Sequence, residues 1–287
     1  MPITGSTRIV GIFGDPVAHS LSPAMQNAAL QEAGIDAVYV PFHVTPAQLC
    51  DAVCAVRALQ ISGVNLTIPH KEAVCQLLDE LDPIAALIGA VNTIVNRDGR
   101  LYGYNTDGLG LLRAVTEDLG VDVSGRRVLI VGAGGAARAA VVALSRAGAV
   151  WIGVTNRTLE RAEDLIASLA PKLEGTALAA LQLAADLPVH LGDGVDLLVN
   201  CSAVGLKGEA LALPLELCMR PGGAVYDMIY GPSTTPLVTA ARAAGLPVAD
   251  GLGMLVGQGE EAFRLWFAEP APAGIMRTAI ECLGCEK

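Results

Sequence analysis

Short apolar runs alternate with helix-period stretches along the first hundred residues. Residues 8–13 (Arg-Ile-Val-Gly-Ile-Phe) make a run of strand length, and Ser22-Pro23 then offers an N-cap with proline at the first helical position, predicting a helix over 24–33 that stops at Gly34. Strand patterns at 38–44 and 63–67 flank an amphipathic stretch over 46–59, and a further helix is predicted from about residue 70 to 81. Strands and helices alternating in this way predict a parallel sheet covered by helices. Residues 90–95 and 101–104, joined by Arg97-Asp98-Gly99, predict a hairpin with a glycine-containing turn.

Past Asp107 a helix pattern over 109–119 leads through Gly125 into Arg127 to Val131, a β-branched and leucine run suited to a central strand. The loop Gly132-Ala133-Gly134-Gly135-Ala136-Ala137 follows at once, then a helix over 136–147 and a strand over 151–155. Together they form one βαβ unit, the context that lifts a glycine pattern above coincidence. Further strands are predicted at 196–200 and 224–228, helices at 159–169 and 236–244, while 172–193 shows no clear period. Closing helices over 254–267 and 272–282 are expected to pack back across the first half. The reading is an α/β chain of two domains: residues 1–106, completed by 252–287, and a Rossmann-type doubly wound domain over 107–251.

Composition narrows the function. The chain has 287 residues, 52% of them hydrophobic, enough for two packed cores. A net charge of −10 argues against nucleic-acid or anionic-membrane surfaces and leaves room for a local basic pocket that takes a small anion. No run approaches a membrane span and no export signal is expected, so the seven cysteines are read as reduced, mostly buried thiols of a cytoplasmic protein. Cys282-Leu283-Gly284-Cys285 has redox or metal-ligand spacing, but no second cysteine pair or nearby histidine completes a site, and no metal is expected.

Several stretches carry candidate chemistry. In the glycine loop, Gly132 allows a tight turn, Gly134 lets backbone approach a pyrophosphate, and the helix N-terminus faces the phosphates; the alternative is a βα turn without a ligand. Where NAD-binding chains carry an acidic residue at the end of the second strand, this one has Asn156-Arg157-Thr158 with Arg161 a turn later. Two guanidiniums suit a 2′-phosphate and predict NADP. Asp107 opens a helix at a joint between the halves, and a buried carboxylate there needs a cation. Lys71 is the candidate: the chain uses 15 arginines and four lysines, and Lys71 is the one lysine before Lys172. A lysine among arginines suggests a need for a titratable amine, although a surface charge at a helix start reads the same. Asn65 and Thr67 share one strand face ending near Lys71, and Asn92, Thr93 and Asn105 to Asp107 extend that polar wall. His19-Ser20-Leu21-Ser22-Pro23 joins two hydroxyls to a helix N-terminus, which suits a carboxylate or phosphate, or is simply a cap at Ser22.

Taken in order, 14–23, Asn65-Leu66-Thr67-Ile68-Pro69-His70-Lys71, Ala90-Val91-Asn92-Thr93, Asn105-Thr106-Asp107-Gly108, Asn156-Arg157-Thr158 and the run from Gly251 through Met254 and Leu255 to Gln258 resemble the motifs of shikimate dehydrogenases. The resemblance spans nearly the whole chain. It implies NADPH-dependent, reversible reduction of 3-dehydroshikimate to shikimate in aromatic amino-acid biosynthesis, with substrate bound by the first domain and cofactor by the Rossmann domain. It implies Lys71 and Asp107 as the catalytic pair and Ser20, Ser22 and Tyr230 at the substrate carboxylate. Asn65, Thr67, Asn92 and Gln258 would hold the ring hydroxyls. Gly132, Ala133, Gly134, Gly135, Ala136, Asn156, Arg157, Thr158 and Arg161 would hold the cofactor, with Gly251, Met254 and Leu255 beside the nicotinamide. Partners would be small molecules, without nucleic acid or membrane, in a monomer or homodimer. Two departures stand out: Gln26 where histidine is common, and Asn200-Cys201-Ser202-Ala203-Val204-Gly205 in place of Asn-Ala-Thr-Ser-x-Gly. Quinate or aminoshikimate oxidation and a non-catalytic NADPH sensor are the competing readings.

Overall fold

The computed structural model describes residues 2–285 except 185, 212 and 232, with the side chains of 283–285 also left aside. In chain order its elements are β1 (Arg8–Gly14), α1 (Ser22–Glu32), β2 (Ala37–His43), α2 (Leu49–Ala58), β3 (Gly63–Leu66), β4 (Glu80–Leu81), α3 (Pro83–Ile88), β5 (Thr93–Arg97), β6 (Arg100–Tyr104) and α4 (Asp107–Leu119). There follow β7 (Arg127–Val131), α5 (Gly135–Arg146), β8 (Trp151–Asn156), α6 (Leu159–Leu169), β9 (Ala177–Gln182), α7 (Leu187–Leu191), β10 (Val195–Asn200), α8 (Leu215–Cys218), β11 (Met219–Asp227), α9 (Pro236–Ala243), β12 (Val248–Ala249), α10 (Leu252–Phe267) and α11 (Ile275–Cys285). They divide into two compact units, Met1–Gly110 with Leu255–Lys287, and Leu111–Met254.

The first unit holds a six-stranded sheet in the order β2-β1-β3-β5-β6-β4. It is mixed rather than wholly parallel, because β5 runs antiparallel to both β3 and β6. The cause is the β5–β6 hairpin, whose two turn residues Asp98 (φ 53°) and Gly99 (φ 87°) both take positive φ, the turn that matches strand twist. The helix predicted over 70–81 does not form. A short 3₁₀ segment, Ala73–Leu77, and then β4 replace it, since tertiary partners take the backbone groups a helix would need. The Lys71 carbonyl accepts the Val91 N–H at 2.8 Å, the Leu77 carbonyl accepts from Arg57, and the Asp79 N–H donates to the Leu101 carbonyl. Lys71 therefore sits on a turn, not in a helix. The segment predicted as one helix over 46–59 starts as a 3₁₀ turn under a Thr45–Gln48 capping box before α2 begins.

α10 packs on this sheet and α11 lies against α1. The Trp266 indole donates to the Ile94 carbonyl at 2.9 Å across Gly63, and the Gln26 amide donates to the Gly259 carbonyl at 2.9 Å. Gly63 is required there, because a Cβ would come within 2.2 Å of the Trp266 nitrogen and 2.4 Å of the Ile94 oxygen. Burying such an aromatic side chain contributes roughly 2–3 kcal/mol.

The second unit is a fully parallel six-stranded sheet, β12-β11-β10-β7-β8-β9. Its central strand β7 buries Val128, Leu129, Ile130 and Val131 under α5, whose Ala137, Ala139 and Ala140 let helix and sheet approach closely. The unassigned segment 172–193 supplies edge strand β9 and short helix α7. The expectation of mostly buried cysteines is corrected: Cys50, Cys54 and Cys282 are exposed, Cys75 and Cys201 half-buried, and Cys218 alone among the six described is buried, its thiol pushed up to about 11 by burial. All six are free. The side chain of Cys285, and with it the paired spacing to Cys282, lies outside the described residues.

Candidate active site

Asp107 is the first residue of α4, and its position is set from behind. The Asn105 side chain accepts the Asp107 N–H at 3.1 Å and donates to the Ala90 carbonyl at 2.9 Å, so the start of the helix is tied to the strand region that carries Asn92. The two Asp107 oxygens have separate donors: Lys71 Nζ lies 2.6 Å from Oδ2, and Asn92 Nδ2 2.8 Å from Oδ1. The Lys71 side chain is 20% exposed and that of Asp107 5%, so the carboxylate is dry while the amine still reaches solvent or a ligand. A charge so buried persists only because it is paired and hydrogen-bonded on both oxygens. Thr106 completes the corner: its N–H donates to Asn92 Oδ1 at 2.9 Å, and its hydroxyl donates to the Gln258 carbonyl of α10 at 3.0 Å.

Hydrogen bonds connect two further sequence candidates to this pair, Asn65 through Thr93 and Asn92, and Gln258 through Thr106 and Asn92. Asn65 donates to Thr93 Oγ1 at 3.0 Å and to the Asn92 carbonyl at 3.2 Å. The Thr67 methyl group rests against Gly14, where a Cβ would come within 2.5 Å. The Gln258 amide folds onto the Leu255 carbonyl of its own helix at 2.7 Å. Ser20 accepts the Ser22 N–H at 3.3 Å. The capping role weighed for Ser22 is corrected, since Leu21 occupies the N-cap and Ser22 begins α1 without a side-chain cap bond. Tyr39, whose hydroxyl donates to Asn65 Oδ1 at 2.8 Å, is the polar neighbour that strand patterning does not single out.

In the second unit, Gly132 takes φ 110°, a conformation suited to glycine, and a Cβ would meet Cys201 and Ser202 backbone at 3.1 Å. Gly134 is the N-cap of α5 and has no heavy atom within 4 Å of where a Cβ would stand, leaving the backbone open to a ligand. Ala133, Gly135 and Ala136 complete the turn onto a twelve-residue helix whose N-terminus favours anions. At the end of β8, the Asn156 side chain donates to the Thr158 carbonyl at 2.8 Å and closes the loop that carries Arg157. Thr158 is the N-cap of α6 without a cap bond, and Arg157 and Arg161 are exposed with no carboxylate partner among the described residues. Burial pushes the Tyr230 phenol above its ordinary value, keeping it a neutral hydroxyl. Gly251 is needed for close packing, since a Cβ would come within 2.1 Å of the Met228 carbonyl oxygen, and the Met254 N–H donates to the Tyr226 hydroxyl at 3.1 Å. Leu255 is buried like Met254.

The Asn200–Gly205 loop is built on Asp227. Its Oδ1 accepts from Asn200 at 2.9 Å and its Oδ2 from the Thr235 hydroxyl at 2.6 Å, while Asn200 Oδ1 accepts the Ser202 hydroxyl at 2.7 Å. Burial raises Asp227 above the usual carboxylate range against the lowering effect of those bonds. Among the described residues there is no group of three or more His, Cys, Asp or Glu that could hold a metal, and no helix is long and apolar enough to cross a membrane.

A second unit whose parallel sheet carries an open glycine turn at a helix start, and a first unit with a dry carboxylate gripping an amine, define a two-domain oxidoreductase of the dinucleotide-binding class. Family models match in three blocks: the shikimate dehydrogenase substrate binding domain over residues 12–94, shikimate / quinate 5-dehydrogenase over 114–190, and the shikimate 5'-dehydrogenase C-terminal domain over 251–281. The shikimate dehydrogenase (NADP(+)) of Geobacter metallireducens is 49% identical over 283 residues, covering 98% of each chain. The crystal structure of shikimate 5-dehydrogenase from Thermus thermophilus in complex with NADP(H) and shikimate superposes with a TM-score of 0.85 at 38% identity, over 96% of this chain and 99% of that one. A ligand-free 5-ketofructose reductase from Gluconobacter sp. strain CHM43 has the same TM-score, 0.85, at 34% identity over 98% and 100% of the two chains. The chain belongs to the shikimate dehydrogenase family.

Proposed function

We propose that this protein catalyses the reversible NADP-dependent reduction of 3-dehydroshikimate to shikimate, a step of aromatic amino-acid biosynthesis. The observation that carries the reading is the Lys71–Asp107 pair, 2.6 Å apart with Asn92 on the second carboxylate oxygen. Bound NADPH supplies the hydride for the carbonyl carbon. Lys71 Nζ donates the proton that the carbonyl oxygen needs as its charge develops, and takes it back when the alcohol is oxidised. Asp107 holds the amine in place and accepts from a substrate hydroxyl. Ser20, Ser22 and the neutral Tyr230 hydroxyl bind the substrate carboxylate, while Asn65, Thr67, Asn92 and Gln258 bind the ring hydroxyls.

The Gly132–Ala136 turn would hold the pyrophosphate of NADP, Asn156, Arg157, Thr158 and Arg161 would hold its 2′-phosphate, and Gly251, Met254 and Leu255 would flank its nicotinamide. The unpaired arginines favour NADP over NAD, because a dianionic phosphate supplies the charge they lack. We assign the protein to the cytoplasm as a monomer or homodimer with small-molecule partners, supported by its acidic balance and odd number of cysteines.

One alternative has a specific observation behind it, since the 5-ketofructose reductase at 34% identity shares the fold. Steady-state kcat/KM for shikimate, quinate and the 5-ketofructose couple, each with NADP and NAD, tests the reading. Shikimate with NADP is expected to exceed every other pair by at least about tenfold, the discrimination of one well-placed polar contact. A higher value for another pair, or no turnover with any, refutes it.

A further inference from the structure

The hydrogen bonds around Lys71 and Asp107 continue inward to a side chain that is only 2% exposed, Tyr39 on β2. Its hydroxyl donates to Asn65 Oδ1 at 2.8 Å. Asn65 stands opposite Thr93 across β3 and β5, and its Nδ2 donates to Thr93 Oγ1 at 3.0 Å. The Thr93 hydroxyl, having accepted that bond, directs its one proton to Asn92 Oδ1 at 3.0 Å. Asn92 Nδ2 then donates to Asp107 Oδ1 at 2.8 Å, and Asp107 Oδ2 accepts from Lys71 at 2.6 Å. Every bond in the series from phenol to carboxylate points the same way, and every member from Tyr39 to Asp107 is buried. Such chains polarise one another and fix the orientation of each amide.

We propose that Tyr39 is a positioning residue for the reaction, acting through Asn65, Thr93 and Asn92 on the carboxylate that holds Lys71; this rests on reading Lys71 and Asp107 as the catalytic pair. Without the phenol, Asn65 Oδ1 becomes a buried acceptor lacking that donor, which favours rotation of the amide and loosens the next two links. The tyrosine ring is held independently of its hydroxyl. The Asn27 side chain clamps the Tyr39 backbone at 2.8 and 2.9 Å, and the ring packs 6.0 Å from that of Trp266. Tyr39→Phe therefore removes the hydroxyl from a site that keeps its shape.

The test compares wild type with Tyr39→Phe, Thr93→Val, Thr93→Ser and the Tyr39→Phe/Thr93→Val double variant, below their melting ranges. Two readouts are taken: kcat and KM for shikimate oxidation with NADP⁺, and hydrogen exchange of the Asn92 side-chain amide by NMR in the ligand-free protein. Tyr39→Phe is expected to lower kcat about 3- to 10-fold, the scale of one neutral hydrogen bond, with a smaller change in KM. Thr93→Val should cost a similar factor, Thr93→Ser should restore the rate, and the double variant should lose no more than the worse single variant, as for links of one chain. Asn92 amide exchange should accelerate in Tyr39→Phe. Wild-type kcat in Tyr39→Phe, or losses that multiply in the double variant, overturn the proposal. If wild type does not turn over shikimate, the functional reading fails, and amide exchange alone decides: acceleration supports the role of Tyr39, and unchanged exchange overturns it.

Discussion

Replacing Asp107 by asparagine tests the geometry of the pair with a change of one atom. Both carboxylate oxygens face donors, Lys71 Nζ at 2.6 Å and Asn92 Nδ2 at 2.8 Å. An amide in the same place has one oxygen, so its NH₂ must point at one of them. Facing Lys71 it opposes a cation, and facing Asn92 it sets two NH₂ groups together, which turns Asn92 away from Thr106. Either orientation loses one hydrogen bond and the countercharge that holds the lysine. A hydrogen bond to a charged group contributes about 1.5–3 kcal/mol, and a tenfold change in rate corresponds to about 1.4 kcal/mol. If that loss falls on the transition state, kcat drops about 10- to 150-fold. The assay is initial-rate shikimate oxidation at the NADPH absorbance band, with thermal unfolding of the same preparation. Full kcat in a folded Asp107→Asn would refute the reasoning and leave the residue a helix start with a structural ion pair.

Three further outcomes follow from other parts of the molecule. Gly63→Ala drives a Cβ between Trp266 and Ile94, breaking their 2.9 Å bond, and should lower unfolding free energy by roughly 2–4 kcal/mol in denaturant titrations, with red-shifted tryptophan emission. Arg157→Ala with Arg161→Ala should raise KM for NADP by roughly 10-fold or more and leave KM for NAD nearly unchanged, read from initial rates with each cofactor. Asp227 is raised by burial, so the folded state holds its proton at pH values where the unfolded chain has lost it, and its contribution to stability falls as pH rises from the usual carboxylate range through the raised value. The melting-temperature difference between wild type and Asp227→Asn should therefore shift in favour of wild type as the pH is lowered across that window; a constant difference contradicts this.

What the sequence made legible depended on how local the signal was. The β7–Gly132–α5 turn follows from contiguous residues, because an apolar strand, glycines and a small-residue helix determine one another at short range. The hairpin at Asp98-Gly99 is equally local, since both residues tolerate positive φ. Residues 70–81 read as a helix because their apolar spacing allows one, and what prevents it is remote: the Val91, Arg57 and Leu101 partners of that backbone are invisible in a linear pattern. Strand β9 was hidden because Ala-Leu-Ala-Ala-Leu-Gln consists of good helix formers, and pairing with β8 overrides that preference. α3 escaped notice although Asp82 caps it through the Ile84 N–H and Gly89 ends it at φ 73°, because six residues are too few to show a period. In the site, Asp107 and Lys71 stood out by charge and rarity. Tyr39 did not, since an aromatic residue in an apolar strand reads as core until its hydroxyl is seen to meet Asn65.

The central claim is that Lys71 delivers the proton, and Lys71→Ala measures it most directly. With shikimate and NADP⁺ saturating, kcat should fall by roughly 10²- to 10⁴-fold, the scale of a positioned proton donor, while NADP⁺ binding measured by fluorescence titration stays within about threefold of wild type. Near-normal kcat in a folded Lys71→Ala would contradict the account.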